Sequence, residues 1–361
     1  QAFVDQMEGF ALELEDELMN FSDVSYKSFV KSESEIITLF YDKFADIPLL
    51  SRMDAVAETF IDEIETLLNR DLPEEERIPL IEKFRKMYET MDFYVLYNRF
   101  LKKEGYQTLP RRPLEKRKLR YEDVYPILYL KYRLSRQAER SNIKHLVIDE
   151  MQDYSRLQYL IIRRMFSCKM TILGDRAQTM ADQQQDVLQF LPGIFGKDLR
   201  RIEMRKSYRN TVEIASYAAN LIGVTDLELF ERHGMPVLER DVSDLEAALR
   251  EAVDTLFPDE KTYETAAVIV PDEKTAERAY LILRGILAEK DFDCGKRLSW
   301  LNRDSSSFKK GLTVTTFYLA KGLEFDQVFS IFPKDEKREI MMQAQYIAAT
   351  RALHELRVYH I

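Results

Sequence analysis

HLVIDEMQDY, residues 145–154, decides the fold. Four residues of mainly β-forming character run into paired acids, Asp149 and Glu150, and then into Gln152 and Asp153. KMTILGD, residues 169–175, repeats the arrangement of an apolar run ending in an acid. Between them SRLQYLIIRRMF has the apolar spacing of a helix. Strand, helix, strand, with chemistry at the strand ends, predicts a parallel α/β sheet. The carboxyl end of such a strand is where ligands are met. There Asp149 is suited to hold Mg²⁺ beside the β- and γ-phosphates of a nucleotide. Glu150 is suited to orient or deprotonate water, and Gln152 to sense a γ-phosphate by hydrogen bonding. Taken alone, paired acids at a strand end are commonly solvent-facing turn residues.

Downstream, the same texture continues. RIEMRKSYRN leads into the helix TVEIASYAANLI. SDLEAALREAVDTLF opens with an expected capping box, Ser243 to Glu246. AAVIV reads as a buried strand, with Asp272 near the start of the next helix. LTVTTFYLA, QVFSIF and LRVYHI read as further strands, and AQYIAATRAL as a helix carrying Arg351. Upstream, residues 1–100 show helical periodicity and almost no strand signal. FVDQMEGFALELEDELMNF and MDAVAETFIDEIETLLNR are the clearest helices, separated from the next by NRDLPEE. Pro110 and Pro113 mark a loop, and YEDVYPILYLKYRLSRQAE resumes a helical pattern to about residue 140.

Composition bounds the class. A chain of 361 residues, 45% apolar and 32% charged, is ordinary for a globular protein of two or three domains. No apolar run approaches the roughly 20 residues of a membrane span, so a membrane partner is not expected. The two cysteines, Cys168 and Cys294, match no metal spacing and suit a reducing, cytoplasmic setting. The four histidines are scattered, and a zinc site is not expected. The net charge of −9 is uneven. Residues 1–70 hold 16 acids and 5 bases, whereas residues 101–120 hold 8 bases and 2 acids. The acidic start reads as solvated helix faces or a surface for a basic partner. The basic stretch reads as a solvated linker or a contact for phosphates.

Five segments in order resemble motifs II to VI of UvrD-like superfamily 1 helicases: DEMQD, GDRAQ, SYRN, TTFYLAKGLEFD and YIAATRA. The resemblance spans about residues 143–361. It implies RecA-like parallel-sheet lobes of a P-loop NTPase motor, with ATP and Mg²⁺ bound between two lobes. Asp149 takes the Mg²⁺ role and Glu150 the catalytic one. Gln152 and Gln178 become γ-phosphate and coupling residues, and Tyr208 the adenine-stacking ring. Arg209 and Arg351 become γ-phosphate arginines, Glu324 a nucleotide-sugar contact, and Gly322 part of the nucleotide site.

YEDVYPILYLKYRL and FYLAKGLEFD are similar to the HelD branch, the RNA-polymerase-associated members. UvrD-type motif V usually has His where this chain has Tyr318, which fits action on polymerase better than direct contact with a DNA strand. The implied partners are therefore nucleic acid (DNA), RNA polymerase, or both. The implied domains are a helical insertion over 1–140, a partial first lobe over 141–198, and a second lobe over 199–361. Of 11 glycines only Gly196 and Gly295 precede lysine, and neither lysine is followed by Ser or Thr. No GxxxxGK[ST] phosphate loop is therefore present in these residues. With the start at Gln1, this is expected of a fragment that binds ATP weakly by itself.

Overall fold

The computed structural model describes residues 2–136, 142–179, 187–204, 206–224, 228–256, 263–290, 297–305, 310–334 and 339–361. Contacts divide the chain into two compact units. One comprises residues 1–173 and 187–199, the other 174–186 and 200–361. Cys294 lies outside the described residues, and Cys168 is a half-buried free thiol.

The first unit is mainly helical. Its helices are α1 (Ala2–Glu17), α2 (Glu33–Thr38), α3 (Leu49–Leu68), α4 (Glu74–Arg85), α5 (Phe93–Lys103), α6 (Tyr121–Leu134), α7 (Arg156–Met165) and α8 (Val187–Phe195). In α3 the buried residues Leu49, Met53, Val56, Phe60 and Ile64 recur every three or four positions. They join Met7, Phe10 and Leu14 of α1 and Leu96 and Phe100 of α5 in one core. Asn69, in left-handed conformation at φ 49°, ends α3 where NRDLPEE predicts a break.

Two expectations need correction here. Residues 1–100 contain a hairpin, β1 (Val24–Tyr26) with β2 (Phe29–Lys31), turned through Lys27 at φ 53°. Strands of three residues are too short to display a period of two. The helix expected to run to about 140 ends at Leu134, where Ser135 is extended; residues 137–141 lie outside the described residues. The predicted strands of the motif region are present as β3 (His145–Ile148) and β4 (Lys169–Ile172), paired in parallel. Helix α7 joins them, capped reciprocally by Ser155 and Gln158.

The second unit is built on a six-stranded, all-parallel sheet. Ahead of it lie β5 (Lys206–Ser207), α9 (Val212–Leu221) and β6 (Glu228–Leu229), with β5 and β6 paired in parallel. The sheet strands are β7 (Leu238–Asp241), β8 (Thr265–Val270), β9 (Leu298–Trp300), β10 (Gly311–Thr316), β11 (Phe325–Phe332) and β12 (Ala352–His360). Their spatial order is β7-β12-β11-β8-β10-β9. Helices α10 (Leu245–Asp254), α11 (Glu273–Glu289) and α12 (Glu339–Thr350) complete the unit.

Central β8 is buried on both faces. Ala266, Val268 and Val270 pack with α10 and α11, while Ala267 and Ile269 pack with α9 and α12. Such double burial is what turns a strand into the continuous apolar run AAVIV. The expected α/β class, with a parallel sheet following a helical region, is the one found.

The helix starts are set by short polar side chains. Asp272, expected only near the start of this helix, caps α11 by accepting the Thr275 amide at 2.9 Å. For α10 the cap is Asp244 rather than the expected Ser243. The Asp244 carboxylate accepts the Ala247 amide at 2.9 Å, and Ser243 Oγ lies 3.2 Å from the same carboxylate. An ionised cap gains more from the helix dipole than a hydroxyl does.

Candidate functional site

In the first unit the site begins where β3 ends. Asp149 is exposed, and one of its carboxylate oxygens accepts the Glu150 amide at 2.8 Å. Glu150 sits in left-handed backbone, φ 51° and ψ 50°. That conformation is costly for a residue with a Cβ. It is held on both sides: Leu173 donates to Ile148 and Met151 donates to Leu173, each at 2.8 Å. Buried Gln152 donates its amide to Glu150 Oε2 at 2.6 Å. Tyr159 Oη donates to the Met151 carbonyl at 3.1 Å and braces the same turn. The structure therefore groups Asp149, Glu150 and Gln152 at one strand end, with Glu150 aimed by Gln152.

In the second unit Gln178 and Arg351 meet. Arg351 is 2% exposed, and its Nη2 donates to Gln178 Oε1 at 3.4 Å and to Thr350 Oγ1 at 3.1 Å. Its Nη1 donates to the Leu323 carbonyl at 3.4 Å, beside Gly322 in the turn between β10 and β11. Gly322 takes φ 75°, a conformation that favours glycine. The expectation that Arg351 lies on a helix is corrected. Helix α12 ends at Thr350, and Arg351 occupies the turn into β12. Asn210, next to the expected site residue Arg209, pins that turn by donating to the carbonyls of Thr350 at 3.3 Å and Ala352 at 2.6 Å.

Sequence reasoning missed a further member of this network. Asp175 Oδ2 accepts from Gln178 Nε2 at 2.9 Å and from Tyr346 Oη at 3.0 Å. Burial, and then the Asp175 charge, push the Tyr346 phenol above its ordinary range, so it stays a donor. Tyr346, Asp175, Gln178 and Arg351 thus form one chain of hydrogen bonds. The signal lay in the sequence, since Tyr346 stands five residues before Arg351, but a tyrosine on an amphipathic helix reads as core.

The remaining expected residues lie on the surface of the second unit. Arg209 Nε pairs with Glu324 Oε1 at 2.6 Å, so two residues expected to meet nucleotide meet each other. Tyr208 is 61% exposed and leans on Phe230, ring centroids 5.7 Å apart. Lys206 stands 5.5 Å from the Tyr208 ring centre. The β5–β6 pair brings these three together. Tyr318 donates to Glu273 Oε1 at 2.8 Å, and Glu273 also pairs with Arg303 at 2.9 Å.

A nucleotide-bound Mg²⁺ asks little of the protein. It takes one or two carboxylates and completes six ligands with phosphate oxygens and water. Among the described residues no group of three or more His, Cys, Asp or Glu forms a metal cage. A single exposed Asp149 carboxylate at a strand end fits the first requirement. No helix among the described residues is long and apolar enough to cross a membrane.

Residues 10–180, a little under half of the chain, match the model of the UvrD/REP helicase N-terminal domain. No curated protein matches the chain. Among solved structures, the C-terminal domain of a possible DNA helicase from Lactobacillus plantarum WCFS1 is 24% identical at a TM-score of 0.33. That match covers 43% of this chain and 88% of that one. The PRRSV helicase is 15% identical (TM-score 0.35), covering 74% of this chain and 45% of its own. The arterivirus nonstructural protein 10 helicase, in complex with DNA, is 13% identical (TM-score 0.33), covering 74% and 51%. The chain thus spans about half the length of these viral helicases. Residues 10–180 are similar to the UvrD/REP helicase N-terminal domain, and that likeness supports a UvrD-like helicase.

Proposed function

We propose that this chain carries the hydrolytic and sensing parts of an ATP-dependent, superfamily 1 helicase-like motor. The observation that carries the reading is Glu150, held in left-handed backbone after β3 with Gln152 on its carboxylate. A strained acidic residue at the carboxyl end of a parallel strand is the kind of outlier that marks a working site. Glu150 takes a proton from the attacking water. The new oxygen–phosphorus bond forms at the γ-phosphoryl group as the bond to the bridging oxygen breaks, leaving ADP and phosphate. Asp149 would hold Mg²⁺, which supplies charge neutralisation at the β- and γ-oxygens. Gln152 and Gln178 sense the γ-phosphate, and Arg351 and Arg209 neutralise charge on the transferring group. Tyr208 stacks on adenine, Glu324 meets the sugar, and Gly322 lets the backbone of its turn come close to the nucleotide.

The division into a helical insertion over 1–140 and lobes over 141–198 and 199–361 belongs to this proposal. So does the HelD-like role, remodelling nucleic acid or an RNA polymerase complex in the cytoplasm. Its support is Tyr318, which stands where UvrD-type motif V usually has His and is committed to Glu273.

The test uses the full-length protein. Glu150→Gln should keep ATP binding and lose hydrolysis by a factor of 10² or more; unchanged turnover would refute the role given to Glu150. The chain of residues 1–361, which has no phosphate loop motif, should bind Mg-ATP weakly or not at all. Micromolar affinity by calorimetry would overturn that. Polymerase release driven by hydrolysis supports the HelD-like role, and duplex unwinding without polymerase points to a repair helicase.

A further inference from the structure

The basic stretch of residues 101–120 is an ordered surface rather than a loose linker. After α5, Leu109 is buried, and its amide donates to Asn98 Oδ1 at 2.7 Å. Tyr94 Oη donates to the Pro110 carbonyl at 2.7 Å. Arg117 ties the far side of the loop down in three ways. It pairs with Asp92 at 2.7 Å, lies 4.6 Å over the Tyr94 ring, and donates from Nε to the Arg112 carbonyl at 3.1 Å. A single turn, Leu114–Lys116, stiffens the middle, and Pro110 and Pro113 fix the backbone around Arg111 and Arg112.

Three of the eight bases are consumed in holding this shape. Lys103 pairs with Glu13, Arg117 with Asp92, and Arg120 with Asp123. Lys102, Arg111, Arg112, Lys116 and Lys118 are exposed and pair with no carboxylate among the described residues. An acidic protein of net charge −9 thus holds five unneutralised cations on one braced segment. Concentrating like charge in this way gives the segment a local positive potential that attracts a polyanion.

The exposed side chains of the same segment say which polyanion. Tyr121, at the start of α6, is 76% exposed, Tyr106 is 42% exposed, and Leu114 is 73% exposed. Tyr106 packs on Phe3 and Phe100, which leaves Tyr121 as the open ring beside the cations. Cations followed by an open aromatic ring suit a nucleic-acid strand, whose phosphates take the charges and one of whose bases stacks on the ring. A run of carboxylates alone offers Tyr121 no base to stack on.

We propose that residues 102–121 form a binding site for single-stranded nucleic acid in the first unit, apart from the residues assigned to nucleotide. Arg111, Arg112, Lys116 and Lys118 contact the phosphates, and Tyr121 stacks on a base. The site needs no ATP, so its failure and the failure of the hydrolytic reading are separate results.

The test is fluorescence anisotropy of the chain with a labelled 20-nucleotide oligothymidylate at several salt concentrations. Four phosphate contacts predict a slope of log affinity against log salt near −3, from about −0.7 per contact. The quadruple variant Arg111→Ala/Arg112→Ala/Lys116→Ala/Lys118→Ala should lose at least tenfold in affinity and most of the slope. Its melting temperature should hold, because the bracing residues remain. A charge-matched control, Lys86→Ala/Lys274→Ala/Arg278→Ala/Arg284→Ala, should keep the slope. Tyr121→Ala should weaken the oligonucleotide about fivefold without changing the slope, and leave any binding of poly-glutamate unchanged. The proposal is overturned if the quadruple variant binds like the parent or if the control loses as much. It is equally overturned if poly-glutamate of equal charge binds as tightly while Tyr121→Ala alters neither.

Discussion

Glu150 spends backbone free energy to point a carboxylate. A left-handed residue with a Cβ costs about 1–2 kcal/mol, and two backbone hydrogen bonds through Leu173 hold it there. Removing the carboxylate in two ways separates backbone from chemistry. Glu150→Gly is expected to be more stable than Glu150→Ala by about 1 kcal/mol in urea unfolding, the reverse of the usual order. Equal stabilities would show that the turn is unstrained. The hydrogen-bond chain from Tyr346 to Arg351 gives a second test. Tyr346→Phe and Gln178→Ala should each cost roughly 1 kcal/mol. Because both act through Asp175, the double variant should depart from additivity by at least about 0.5 kcal/mol; simple addition would break the relay. Neither Glu150's φ nor Tyr346's partner was legible beforehand. The motif names the residue types, but a left-handed glutamate is decided by neighbours, and Tyr346 meets an acid 171 residues away.

At the scale of elements, period and caps carried most of the reading. AAVIV gave a buried central strand and MDAVAETF the long helix α3, because each pattern repeats often enough to be seen. The β1–β2 hairpin and the two-residue strands β5 and β6 fall below that length. Ser243 and Asp244 compete for one cap, and local charge decides between them. Accordingly Asp244→Ala should cost about 1 kcal/mol, and Ser243→Ala only a few tenths.

At the start of α9, Glu213 accepts from His233 Nδ1 and from the Gly234 amide, each at 2.9 Å. The His233 hydrogen bond, followed by the backbone amides, holds its carboxyl down at about 2 from an ordinary 4.5. A depressed acid stabilises the fold above its unfolded value, so this contribution is complete above about pH 4.5 and disappears as pH falls toward 2. Glu213→Gln should therefore flatten the acid limb of stability between those values. An unchanged acid limb would exclude the contact in solution.

Over the whole molecule, the two units provide independent probes. The single tryptophan, Trp300, lies in β9 and reports on the second unit, whereas most helix lies in the first. Gly311 begins β10 at φ 114°, and a Cβ there would fall 2.2 Å from the Arg297 carbonyl oxygen. Gly311→Ala should destabilise the second unit by at least ~2 kcal/mol. The Trp300 fluorescence transition should then move to lower denaturant while much of the ellipticity persists. Coincident shifts of both signals would mean that the units unfold as one.

The units also interleave along the chain, which passes from one to the other after residues 173, 186 and 199. During synthesis Asp175 leaves the ribosome well before its partner. At roughly 5–20 residues per second, the 171 residues to Tyr346 take about ten to thirty seconds. For that time a short polar segment, emerging within the sequence of the helical unit, waits for a helix not yet made. One hydrogen bond of the second unit is therefore written into the chain early and closed late.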